Sequence, residues 1–195
     1  MDSSYNALLK PEIYIGYRSY GQGSTRTCES IGLVVREESF TKSYTIFAHT
    51  YYSKEKRQEE WRMKSQQLDP DILQQKRYTG LLYIGELQSS NGVEHGFRSA
   101  ENYDAMVKRL GEECTTIYKE FLTSAADPRD NTDGSHEWLE YTLEEMKRKQ
   151  SIVLPHSAKE CVATGLAYAN DWSHHANGEI AICNTDGKEF VLPGL

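Results

Sequence analysis

Three stretches near the start of the chain alternate apolar and polar residues with period two, and only short turn-forming segments separate them. Glu12 to Ser19 sets Ile13, Ile15 and Tyr17 on one face and Tyr14 and Gly16 on the other. Ser30 to Arg36 alternates through Ile31, Leu33 and Val35, and Ser43 to Tyr51 through Tyr44, Ile46 and Ala48. Parallel neighbours need a crossover of a dozen or more residues, so successive strands joined this tightly are most simply antiparallel. The chain is therefore expected to begin with a three-stranded meander on which everything later must pack.

Past the meander the period changes. Ser53 to Gln67 is rich in charged, helix-forming residues and stops before Pro70, which predicts a helix anchored only by Trp61 and Met63. Tyr78 to Leu87 places Leu81, Leu82, Tyr83 and Ile84 in succession, the mark of a strand covered on both faces and so central in a sheet. From Ser99 to Phe121 the residues Tyr103, Met106, Val107, Leu110, Cys114, Ile117, Tyr118 and Phe121 fall on one helical face, with Ser99 placed as cap. The turn formers of 124–135 predict an exposed loop, and Ser135 to Gln150 a second helix carrying Trp138, Leu139, Leu143 and Met146.

A short apolar run, Ile152 to Leu154, reads as a short strand and leads into Ser157-Ala158-Lys159-Glu160, whose Ser-x-x-Glu spacing is that of a capping box. A last helix is expected from there to about Asp171, with Val162, Leu166 and Ala169 inward. Glu179 to Cys183 and Lys188 to Leu192, joined by Asn184 to Gly187, read as a C-terminal hairpin. Tyr14-Ile15-Gly16 is echoed by Tyr83-Ile84-Gly85, as two strands with similar surroundings would do.

These elements make a mixed α/β chain, and 195 residues fit a single domain spanning 1–195. Hydrophobic residues at 38% suffice for a core, and a net charge of −7 argues against a surface broadly coated with nucleic acid, which needs lysines and arginines to neutralise phosphates. Cys28, Cys114, Cys161 and Cys183 are far apart with no C-x-x-C pair, so reduced thiols and an intracellular setting are expected. Met1 to Lys10 lacks the pattern of a standard export signal. No run of about 18 apolar residues occurs, so no membrane partner is expected.

The element order, with Ile13-Tyr14, Ser19 and Gly21 before Ile31-Gly32-Leu33-Val34-Val35-Arg36 and with His156, Val162, Ala163, Leu166 and Ala167 near the end, resembles the ribonuclease H-like fold over roughly Glu12 to Asp171. That resemblance implies cleavage of nucleic acid by two divalent metal ions, Mg²⁺ or Mn²⁺, held by clustered carboxylates. Glu59 or Glu60 matches the glutamate on the family's first helix, Glu86 the carboxylate ending its central strand, and Glu160, also placed to serve the capping box, or Asp171 a carboxylate on its last helix. The aspartate of the family's first strand has no counterpart: Gly16, Tyr17 and Arg18 stand there, and a guanidinium repels a metal ion.

The leading expectation is accordingly a binding or regulatory protein, inhibitor-like and without a cofactor, on a catalytically degenerate scaffold. Thirteen tyrosines, several beside the first strands, supply large contact areas with polar tips, and Tyr17, Arg18, Tyr20, Tyr44 and Trp61 are the candidate contacts for a protein or nucleic-acid partner. The alternative is a divalent-metal nuclease or phosphoryl-transfer enzyme using Glu60, Glu86 and Asp171. A third reading is a cysteine-dependent hydrolase built on Cys161 with His174 or His175, set against a plain core role for that cysteine. Asp171, His174, His175 and Asn177 also lie close enough in sequence to be weighed as a zinc site, against an ordinary polar loop.

Overall fold

A computed structural model describes residues 11–20, 27–36, 43–53, 58–68, 80–87, 103–124, 134–175 and 181–189. Six strands form one sheet: β1 (Glu12–Tyr20), β2 (Thr27–Arg36), β3 (Ser43–Ser53), β4 (Gln58–Leu68), β5 (Gly80–Glu86) and β6 (Ala181–Cys183), in the order β4-β3-β2-β1-β5-β6. The helices are α1 (Tyr103–Ser124), α2 (Gly134–Arg148) and α3 (Ala158–His175). The chain is thus mixed α/β, with the expected meander in place. Among the described residues no helix is long and apolar enough to cross a membrane.

Alternation along β1 decides which side of the sheet the helices cover. Ile13, Ile15 and Tyr17 join Leu33 and Val35 of β2 and Leu82 and Ile84 of β5 in one apolar cluster with the inward faces of all three helices. The α1 residues expected to face inward, from Tyr103 to Phe121, are all buried, as are Trp138, Leu139, Leu143 and Met146 of α2. Tyr103 ties α1 to the sheet by donating its hydroxyl to the Val35 carbonyl at 3.1 Å, and the Phe121 and Tyr141 rings, 5.5 Å apart, join α1 to α2. Ser99, the expected cap, lies outside the described residues.

β1 is kinked against both of its neighbours. Its register with β2 shifts between Gly16 and Tyr17, and with β5 between Ile13 and Tyr14. Each shift has a glycine with positive φ beside it, Gly32 at 145° and Gly85 at 134°, backbone angles that a Cβ would strain. Bulges of this kind add local twist, which curls the sheet around the helices.

The capping box forms as the spacing predicts. The Ser157 amide donates to Glu160 Oε2 at 3.0 Å, and the Glu160 amide donates to Ser157 Oγ at 3.2 Å. A second carboxylate, Glu144 Oε1 from α2, accepts the Ala158 amide at 2.7 Å, so two acids satisfy the start of α3 and α2 is fastened to it.

Two expectations are corrected. The segment read as a helix, Ser53 to Gln67, instead supplies β4, which pairs with β3 residue for residue from Ser53↔Gln58 to Ser43↔Leu68. An edge strand keeps one side unpaired and tolerates many charges, which hid its period of two. The run Ile152 to Leu154 is not a strand of the sheet; Ile152 and Leu154 are buried while Val153 is 72% exposed, so the segment is an apolar strap between α2 and α3. At the C-terminal end the expected turn forms, with the Asn184 amide donating to the Lys188 carbonyl at 2.9 Å and Cys183 bridging Glu189 antiparallel, while β6 also joins the sheet parallel to β5; residues 190–192 of the expected return arm lie outside the described residues. Two of the elements behind the ribonuclease H-like order, the helix after the meander and the short strand before the last helix, are therefore not those the sequence predicts.

Candidate functional site

The side of β1 turned away from the helices carries a polar and aromatic cluster. Tyr14, fully buried, donates its hydroxyl to Glu12 Oε2 at 2.6 Å. The Arg36 guanidinium of β2, also buried, lies over the Tyr14 ring, 5.8 Å from its centroid. Tyr83 of β5 meets the same ring edge-on at 5.5 Å. The register explains the assembly: Glu12 stands opposite Arg36 on one side and Glu86 on the other, while Tyr14 stands opposite Tyr83. The two tyrosines of the echoed Tyr-Ile-Gly motifs are thus neighbours on adjacent strands.

Burial sets the electrostatics of this end of the sheet. Burial, and then the Glu12 carboxylate that accepts its hydrogen bond, raise the Tyr14 pKa far above a phenol's ordinary value, so the hydroxyl keeps its proton. Tyr83 is shifted the same way by burial, with Glu86 and Glu12 adding to it. Burial lowers Arg36, against which Tyr14 and Glu12 hold its charge. Glu12, Tyr83 and Glu86 are each half-buried, so they rim a cluster whose interior is Tyr14 and Arg36. Such a group sets two carboxylates and a phenol at the half-buried margin of an internally bonded support.

The carboxylates expected to bind metal are dispersed. Glu86 is level with Glu12 at one end of β1. Asp171 follows Asn170, whose Oδ1 accepts the Cys28 amide at 2.7 Å, and Cys28 pairs with Ser19 at the other end of β1. Seven residues of strand, roughly 23 Å, separate these two levels. Glu60 lies opposite Tyr51, eight residues along β4 from Leu68 at the Glu86 end, roughly 26 Å of strand. It is on β4 because that segment is not a helix. Among the described residues no group of three His, Cys, Asp or Glu is placed to hold a metal ion.

The expected contact residues also separate. Tyr17 is a core residue: it is fully buried, and its hydroxyl donates to the Val162 carbonyl of α3 at 3.0 Å. It cannot present a surface to a partner, because its period-two mates Ile13 and Ile15 face the helices. Arg18, next along β1, is exposed. Tyr20, Tyr44 and Trp61 take positions on β1, β3 and β4, and their side chains lie outside the described residues, as does that of Glu60.

Cys161 is buried, and burial pushes its thiol up, which suits a cysteine packed in the core of α3. The side chains of His174 and His175, and all of Asn177, lie outside the described residues. Asp171 itself is exposed.

Of this group only Glu86 stands out in the sequence; Glu12, Tyr14, Arg36 and Tyr83 do not stand out there as a group. The usable signal was parity: in antiparallel neighbours Glu12, Tyr14 and Arg36 fall together on the face opposite Ile13 and Val35, where a carboxylate, a phenol and a guanidinium can meet across two strands. Compared with protein-family models, curated proteins and solved structures, the chain matches none.

Proposed function

We propose that the chain is a non-catalytic binding or regulatory protein whose contact surface is the rim formed by Glu12, Tyr83 and Glu86, and that its partner is a protein segment carrying lysines or arginines. The observation behind this reading is the internally bonded cluster beneath that rim, where Tyr14, Glu12 and Arg36 hold one another in place. A rigid support lowers the entropy lost when a surface is engaged, and phenols beside carboxylates suit cationic side chains by both charge and ring contact. The net charge of −7 adds long-range attraction for a basic partner. A ribonuclease H-like scaffold is not required for this role.

Fluorescence anisotropy with a labelled nona-lysine probe tests it. Saturable binding that the double variant Glu12→Gln/Glu86→Gln loses, with a nona-glutamate control inert, supports the reading. Equal binding by wild type and double variant overturns it.

A further inference from the structure

β4 ends the sheet. It pairs along all eleven of its residues with β3 and, among the described strands, with no other. The opposite edge is β6, only three residues long. A long edge is a template for another strand, which natural proteins blunt with prolines, bulges, very short edges or charges of one sign set against each other. β4 has no proline and pairs with β3 without a register shift.

Its charges are arranged antisymmetrically: Glu59 and Glu60 precede Trp61, and Arg62 and Lys64 follow it. When two copies of a strand pair antiparallel about a two-fold axis normal to the sheet, residues of equal parity face each other, so the residue on the axis fixes every pair. An axis at Glu59, Glu60, Arg62 or Lys64 puts a charge against itself. An axis at Met63 sets Arg62 against Lys64 twice. An axis at Trp61 sets Glu60 against Arg62 twice, Gln58 against Lys64 and Glu59 against Met63, with the two Trp61 residues opposite each other and no like-charge pair. Of the positions from Glu59 to Lys64, only Trp61 gives a register that attracts.

We infer that β4 is the interface of a homodimer in which a second copy of this chain adds its own β4 antiparallel across Trp61, joining the two sheets edge to edge. This is a symmetric, self-complementary contact that closes on itself and does not propagate. It is separate from the rim at Glu12, Tyr83 and Glu86.

Sedimentation equilibrium of the full chain across the micromolar range tests the inference. Wild type is expected at twice the chain mass of 22.3 kDa. Arg62→Glu places acid against acid at both symmetric pairs and is expected to weaken association at least about tenfold, while Glu60→Arg/Arg62→Glu exchanges the partners and restores it. Circular dichroism confirms that each variant is folded. Trp61→Cys, on the axis, is expected to give an intermolecular disulfide under mild oxidation, since all four native thiols are buried. A monomeric wild type, a dimer that Arg62→Glu leaves intact, or a charge exchange that fails to restore association overturns the inference.

Discussion

Tyr17 of β1 and Gly165 of α3 pack so closely that a Cβ on the glycine would overlap the tyrosine hydroxyl and the adjoining ring carbons. The hydroxyl is simultaneously held by the Val162 carbonyl one turn earlier, so the ring has nowhere to retreat. Gly165→Ala is therefore expected to destabilise the fold. Overpacking costs about 1–3 kcal/mol and is only partly offset by about 1 kcal/mol of helix propensity. Gly111→Ala in α1, where an added Cβ meets nothing within 4 Å, should stabilise by about 0.5–1 kcal/mol. Opposite signs in urea midpoints check the contact between α3 and β1; two stabilising substitutions would contradict it.

Thr142 is fully buried on α2, and among the described residues its hydroxyl has no hydrogen-bond partner. A polar atom desolvated without compensation is a cost, so Thr142→Val, close in shape, should leave stability unchanged or raise it by about 1 kcal/mol. Chemical denaturation measures this directly. A loss greater than that margin would mean the hydroxyl is bonded in solution.

The start of α3 should show a carboxylate dependence. Glu160 is held below its usual value of 4.5 first by the Ser157 hydroxyl and then by the Ser157 amide. A lowered acid favours the folded state above its unfolded value, and that stabilisation is lost as pH falls through the folded one. The difference in thermal midpoint between wild type and Glu160→Gln should therefore shrink as pH drops below 4.5. Ser157→Ala, which removes the reciprocal bond, should cost about 1 kcal/mol at neutral pH. A midpoint difference that ignores pH would argue that the box is not formed.

All four cysteines are buried thiols, and burial pushes Cys183 up to about 12. A thiol raised from 9.0 leaves stability intact below that pH and removes it as pH rises towards the folded value, because only the unfolded chain then ionises readily. The urea midpoint should fall above pH 9. Thiol-specific reagents should label no cysteine in the native protein and all four in urea. Rapid native labelling of Cys161 would reopen its reading as a nucleophile.

Much of the fold was legible where burial is one-sided and strong. The inward positions of α1 were readable because a 3.6-residue period persists from Tyr103 to Phe121, and the capping box because two residue types at a fixed spacing perform one task. β4 was not legible as a strand: Glu59, Glu60, Arg62 and Lys64 are good helix formers, and the only period-two evidence was Trp61 with Met63. Pairing with β3 overrode local propensity there. The strap at Ile152 to Leu154 is a short apolar run like that of a buried strand, with nothing in its sequence to say that no neighbour pairs with it. The site was legible only in Glu86, because the cluster depends on which residues of β2 and β5 stand opposite Glu12 and Tyr14, and the two bulges beside Gly32 and Gly85 shift that register in ways that alternation does not reveal.

The most direct test of the binding role is an NMR titration of uniformly ¹⁵N-labelled protein with a lysine-rich peptide. The account predicts that the largest amide shifts fall at the Glu12, Tyr83 and Glu86 end of the sheet, extending into Arg36, and that Glu12→Gln/Glu86→Gln abolishes them. Shifts centred on Arg18 and Asp171 at the far end of β1, or none at all, would contradict it.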